Sequence, residues 1–235
     1  MHCAFFGKGD NTIVYLHGWG ADGTIFAHVA NRLPYYANVM PDFNGFGKSA
    51  MPPGSGWTVA DYAEALHMFF VQYNIQHATI VAHSFGARVG IVFAATYANF
   101  CDKMLLFAPA ALRKKSVVRA CKVAWYKVNK SLRKLVGIPP LQSVGSDDYR
   151  NCPKELRPTF VKVVNQDLSR YARRVACPVL VVNGHDDTAT PLSHAQKLTK
   201  LLPHGQLQII DGDHFALFRN PDAFARIVDC FVRGC

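Results

Sequence analysis

The run Ile80-Val81-Ala82-His83-Ser84-Phe85-Gly86 constrains this chain more than any other stretch. Its first four residues read as a strand, the residues from Phe85 onward open a helical pattern, and one serine stands between them. A strand that turns into a helix over a single residue holds that residue in a strained backbone, so its flanks must be small. Ala82 and Gly86 meet that need, with alanine standing where glycine is commoner. The hydroxyl is left exposed at the carboxyl end of the strand, which makes Ser84 a candidate nucleophile.

Around this turn, short β-branched and aromatic runs alternate with longer amphipathic stretches, the pattern of βαβ units on a mostly parallel sheet. Strands are expected over 2–6, 12–17, 39–41, 79–83, 103–107, 179–183 and 206–210, and helices over 24–33, 58–73, 85–98, 191–202 and 221–232. Thr58 and Asp61 form a helix-start signal, a hydroxyl and a carboxylate three residues apart that satisfy orphan amides. The alternation stops over 110–176, where helical patterns follow one another without a convincing strand. The chain therefore divides into a core of 1–109 and 177–235 and an inserted helical cap of 110–176. In the cap's first helix Leu112, Val117, Cys121, Ala124, Val128, Leu132 and Leu135 share one face, and Gly137-Ile138-Pro139-Pro140 ends it.

With 235 residues, 50% hydrophobic and 18% charged, the composition excludes disorder and leaves enough chain for a substantial core. No apolar run approaches the roughly 18 residues of a membrane helix, and the opening lacks a secretory pattern, so a cytoplasmic protein is expected. The seven cysteines are scattered and show no metal-ligand spacing, which reads as reduced thiols. The net charge of +10 has an address. Arg113, Lys114, Lys115, Arg119, Lys122, Lys127, Lys130, Arg133 and Lys134 fall in a stretch without Asp or Glu, and the rest of the chain carries 17 basic residues against 16 acidic.

A serine hydroxyl attacks only when a base accepts its proton and a carboxylate orients that base. Two downstream strands end in suitable groups: 179–183 runs into Gly184-His185-Asp186-Asp187, and 206–210 runs into Asp211-Gly212-Asp213-His214. Serine, acid and histidine candidates thus each follow a strand on the same sheet edge. The glycines of His17-Gly18-Trp19-Gly20 let a backbone amide turn toward a developing oxyanion, and the expected donors are the amides of Trp19 and Phe85.

Together these motifs resemble the α/β-hydrolase fold family over essentially the whole chain. His17-Gly-Trp-Gly matches its oxyanion loop, Pro41-Asp-Phe-Asn-Gly-Phe-Gly-Lys-Ser49 its aspartate-glycine-glycine-serine loop, and Ser84 its elbow. Gly184-x-x-Asp187-x-x-x-Pro191 with His214 completes the set. The resemblance implies that Asp187 rather than Asp186 is the acid of a Ser84, Asp187, His214 triad. It further implies hydrolysis through an acyl-enzyme with no metal or organic cofactor. Two departures stand out. Little chain precedes the oxyanion strand, so the usual eight-stranded sheet is expected in abridged form, and Asp213 adds a carboxylate beside His214 that is expected to raise its pKa.

A one-signed cap beside an active-site mouth attracts an acidic partner. Within the family, the esterases that cleave pimeloyl-carrier-protein methyl esters for biotin synthesis hold an acidic carrier with basic cap residues, and this chain is similar to them in size, oxyanion loop and cap placement. The resemblance implies an acyl carrier protein as partner, with Lys115, Arg119 and Lys122 the candidate contacts. An anionic membrane surface ranks below it, and no nucleic-acid motif is present. The leading expectation is a serine hydrolase of carboxylic esters. The alternatives are a carbon-carbon bond hydrolase of ring-cleavage products and a receptor-like, ligand-binding member with negligible turnover.

Overall fold

The computed structural model describes residues 1–54, 56–113 and 147–235, and the side chains of 147 and 148 are not among those described. Seven strands form one sheet: β1 (Cys3–Phe6), β2 (Thr12–Leu16), β3 (Ala37–Pro41), β4 (Ala78–His83), β5 (Cys101–Phe107), β6 (Val179–Gly184) and β7 (Gly205–Ile210). Their order is β1-β3-β2-β4-β5-β6-β7, and only the β1 pairing with β3 is antiparallel. All seven expected strands are present. The mostly parallel α/β sheet with flanking helices and seven strands matches the fold class read from the sequence.

Period-two alternation sorts the strand residues into two cores. Val14, Leu16, Ile80, Ala82, Met104, Leu106, Val179 and Val181 face one side; Ile13, Tyr15, Val81, Leu105, Phe107 and Val182 face the other. The first side is covered by α2 (Val59–Gln72) and α3 (Phe85–Thr96), which follow the short α1 (Ala27–Ala30). The second is covered by α1 and by the C-terminal helix (Pro221–Arg233). Burial on both faces explains why β4 is buried at all six positions, whereas β7 at the sheet edge is half exposed.

Local signals fix the helix ends. Thr58 and Asp61 make the reciprocal capping box expected of them. Asn220 caps the C-terminal helix by accepting the Ala223 amide, Pro221 opens it, and Gly234 ends it with φ 82°. The helix expected over 24–33 is shorter. Gly23–Phe26 forms a 3-10 turn, α1 covers only four residues, and Arg32 and Leu33 donate to Val29 and Ala30. Such i to i+3 bonds tighten the chain before Pro34, which disfavours helix in the residue preceding it.

Within the expected cap, the described part holds Asp147–Asn151, a 3-10 turn at Lys154–Leu156, Arg157–Asn165 and Ser169–Ala172, all helical. The basic first helix expected there, with Lys115, Arg119 and Lys122, lies outside the described residues. Where the chain leaves the core and returns to it, the two segments are joined. Leu168 donates its amide to Ala111 O at 3.2 Å, and the Arg113 amide donates to Asp167 Oδ2 at 3.1 Å. Arg88 of α3, only 3% exposed, donates to the carbonyls of both Ala110 and Gln166. Burial lowers this guanidinium to about 10, with nearby Asp167 opposing the shift.

Candidate active site

Strand order reverses between β2 and β4, because β3 lies on the far side of β2 while β5 lies on the far side of β4. At such a switch point the loops after the two strands diverge and leave a crevice at their carboxyl ends. The loop after β2 carries His17-Gly18-Trp19, and the turn after β4 is Ser84.

Ser84 has φ 50° and ψ −103°, the strained geometry its sequence demands. Its amide donates to Phe107 O at 3.1 Å, and its hydroxyl makes no hydrogen bond among the described residues. Gly86 is obligatory for the turn. A Cβ there would lie 2.1 Å from Leu16 O, because the first turn of α3 packs directly on the end of β2. Gly18 is confined in the same way, with a Cβ there falling 2.9 Å from His83 Nδ1 and 3.7 Å from Ser84 Cβ. The oxyanion loop therefore abuts the elbow.

Phe85 is the first residue of α3, so its amide is one of the donors a helix start leaves without an internal acceptor. The Trp19 amide likewise engages no partner among the described residues. The loop is held from behind by His17, which is fully buried: Nδ1 donates to Gly18 O at 2.8 Å and Nε2 accepts the Phe43 amide at 3.0 Å. Burial pushes this imidazole below its ordinary pKa, which keeps it in the neutral form that both bonds require. Asp42 organises the next loop by accepting from the amides of Gly23 and Lys48 and from His2 Nδ1, each at 2.9 Å.

His214 follows β7, and its Nδ1 lies 2.8 Å from Asp187 Oδ2. The carboxylate side chain is fully buried and the imidazole 15% exposed. Burial works to raise the Asp187 carboxyl, but hydrogen bonds from His214 and from the Thr190 hydroxyl and amide outweigh it and hold the group below its usual range. Thr190 Oγ1 also lies 3.3 Å from His214 Nδ1. Asp186, one residue away, is exposed and pairs with His185 at 3.0 Å. Of the two aspartates, only Asp187 meets His214.

His83 ties this pair to the elbow. Its Nε2 donates to His214 O at 3.1 Å, and the two rings sit 4.8 Å apart. Burial, the largest cause, drives His83 down to about 3, so it is a neutral support with a buried, unpaired Nδ1. Asp213 is turned to Arg219 at 2.6 Å and to the Phe215 amide, which hold its carboxyl below the ordinary range. Its charge is paired there.

Trp19 forms edge-on contacts with Phe46, Phe85 and Phe160 at ring separations of 4.9, 5.3 and 5.1 Å. It thus joins the oxyanion loop to the elbow helix and to the returning segment of the expected cap. Beside it lies a cleft of about 420 Å³ lined by Trp19, Asp22, Phe46, Asn151, Pro153 and Leu156. Among the described residues no group of three His, Cys, Asp or Glu is placed to hold a metal, and no helix is long and apolar enough to cross a membrane.

Ser84, Asp187 and His214 thus each follow a strand at the carboxyl edge of the sheet, with His214 paired to Asp187 and the Gly18 loop packed against Ser84. The supports Thr190 and Arg88 were not singled out by sequence. Thr190 has a retrospective signal, a hydroxyl three residues after Asp187 and just before Pro191, whereas the bonds of Arg88 run to backbone carbonyls that no pattern reveals.

The family model for the alpha/beta hydrolase fold matches residues 11–136, and the chain belongs to that family. It is 26% identical over 259 residues to an uncharacterised protein of Mycobacterium tuberculosis, covering 94% of this chain and 74% of the relative. It is 24% identical to a Caulobacter protein named as a carbamate hydrolase, RutD, covering 95% and 91%. Among solved structures, the esterase EaEST from Exiguobacterium antarcticum superposes with TM-score 0.79 at 19% identity, covering 99% of this chain and 95% of that one.

Proposed function

We propose that this chain is a serine hydrolase that cleaves a carboxylic ester through an acyl-enzyme. The observation that carries the reading is the His214–Asp187 pair, seated by His83 beside a serine at φ 50°. In this mechanism Ser84 Oγ attacks the ester carbonyl as His214 Nε2 accepts its proton. Asp187 holds the Nδ1–H tautomer and stabilises the imidazolium. The amides of Trp19 and Phe85 receive the developing oxyanion, His214 then protonates the departing alcohol, and water repeats the sequence on the acyl-enzyme.

The similarity to RutD supports including carbamates among the acyl compounds, since the same attack applies to a carbonyl bearing nitrogen. The reading extends to a substrate linked to an acidic acyl carrier protein, recruited by Lys115, Arg119 and Lys122. It rests on the one-signed stretch from Arg113 to Lys134. The small-molecule or carrier-linked ester reacts in the core in either case.

The test is hydrolysis of a graded series of acyl p-nitrophenyl esters and a p-nitrophenyl carbamate by wild type and Ser84→Ala. The expected result is turnover that falls by roughly four to six decades in the variant. A folded wild type inactive on every ester, or a Ser84→Ala loss below about tenfold, overturns the ester reading. Turnover of coloured dienoates instead marks the carbon-carbon bond hydrolase, and tight product retention without turnover marks the ligand-binding member.

A further inference from the structure

Cys101 opens β5 and Cys177 stands two residues before β6, its parallel neighbour. Scattered in sequence and 76 positions apart, their sulfurs approach to 3.6 Å. Cys101 is buried and Cys177 partly exposed. The two strand starts are already locked together, since Met104 donates its amide to Pro178 O at 3.0 Å and Met104 pairs with Val179. Closing the bond requires the sulfurs to approach from 3.6 Å to about 2.05 Å.

We propose that Cys101 and Cys177 are a thiol modification site that closes to an intramolecular disulfide when the protein meets a small-molecule disulfide such as oxidised glutathione. The accessible Cys177 thiolate attacks one sulfur of the reagent, forming a mixed disulfide and releasing one glutathione thiolate. Cys101 then loses its proton to solvent and attacks the Cys177 sulfur, releasing the second glutathione thiolate. Two protein thiols are oxidised and one glutathione disulfide is reduced to two thiols, which take up the two protons the cysteines lose. The order of attack follows from exposure and from the contact between the two sulfurs. That contact lowers the Cys177 thiol and raises Cys101, so Cys177 is the better thiolate.

The site lies at the amino ends of β5 and β6, the end of the sheet opposite Ser84. Its consequence is therefore mechanical rather than chemical. The bond closes a loop holding the entire 110–176 insertion and restricts the unfolded chain, an effect that grows with loop length.

The experiment treats the full-length chain with oxidised and reduced glutathione at graded ratios, followed by alkylation, peptide mapping and thermal melting. Cys230→Ser/Cys235→Ser serves as the background, to remove the other neighbouring thiols. The expected product has lost two hydrogens, carries a cross-linked peptide joining Cys101 to Cys177, and melts about 10 °C higher than the reduced chain. The exposed-side variant Cys177→Ser, which leaves the buried position intact, shows neither change, and oxidation leaves Ser84-dependent ester turnover of the parent intact at assay temperature. Oxidised protein in which both thiols are still alkylated, or in which Cys177 stops at a stable glutathione adduct, overturns the proposal.

Discussion

Nδ1 of His214 lies 2.8 Å from Oδ2 of Asp187, with the carboxylate fully buried and the imidazole open to the crevice. One side of the ring is thereby committed to a fixed anion and the other is free to exchange a proton. Asp187→Asn replaces the acceptor by an amide and favours the wrong tautomer, so kcat is expected to fall by about 10⁴ with the fold retained. Stability should also change in acid. Asp187 titrates lower in the folded chain than in the unfolded one. Its contribution is complete above the unfolded value of about 3.9. Below that the unfolded chain protonates first, and the contribution is lost as pH falls through the folded value. Urea midpoints across the acid range should fall less steeply for Asp187→Asn than for wild type.

Gly86→Ala places a methyl group 2.1 Å from the Leu16 carbonyl, a backbone atom that cannot yield without moving β2. The expected cost is about 3 kcal/mol in chemical denaturation. Ester turnover should fall as well, because the same displacement moves Ser84 relative to Trp19. Wild-type stability in this variant would contradict the close packing of α3 on β2.

Arg88→Met removes the donor shared by Ala110 and Gln166. Two carbonyls are left unpaired at about 1–3 kcal/mol each, partly offset because a desolvated cation is also removed. Chymotryptic cleavage within 147–168 is expected to speed up by about tenfold, with KM for esters rising more than kcat falls. An unchanged cleavage rate would show that the backbone bonds at Ala111 and Asp167 hold the junction alone.

Reversing Lys115, Arg119 and Lys122 to Glu is expected to slow carrier-linked turnover by about tenfold or more at low salt. Hydrolysis of small esters should be unaffected, and the difference should shrink as salt screens the charges. Equal loss on both substrates would point to a damaged fold and remove the carrier from the reading.

Strand positions were legible because burial on two faces writes β-branched runs directly into the sequence, as in Ile80-Val81-Ala82. The elbow was legible because φ 50° at Ser84 excludes large neighbours. What stayed hidden depends on three-dimensional backbone. Thr190 acts through a carboxylate and an imidazole that only folding brings together, and Arg88 binds carbonyls 22 and 78 positions away. Helix 24–33 was overdrawn because apolar spacing does not register the tightening before Pro34. The Asp213 pairing was hidden because its partner Arg219 lies six residues onward in a helix that the sequence did not reveal.

The hydrogen bonds from Leu168 to Ala111 and from Arg113 to Asp167 mean that the chain departs from the core and rejoins it at adjoining points. A stretch whose two ends already touch can be exchanged for another of different length without asking the sheet to move. We propose on that ground that replacing residues 114–166 with the corresponding stretch of a relative transplants substrate preference while the proton-transfer apparatus stays in place.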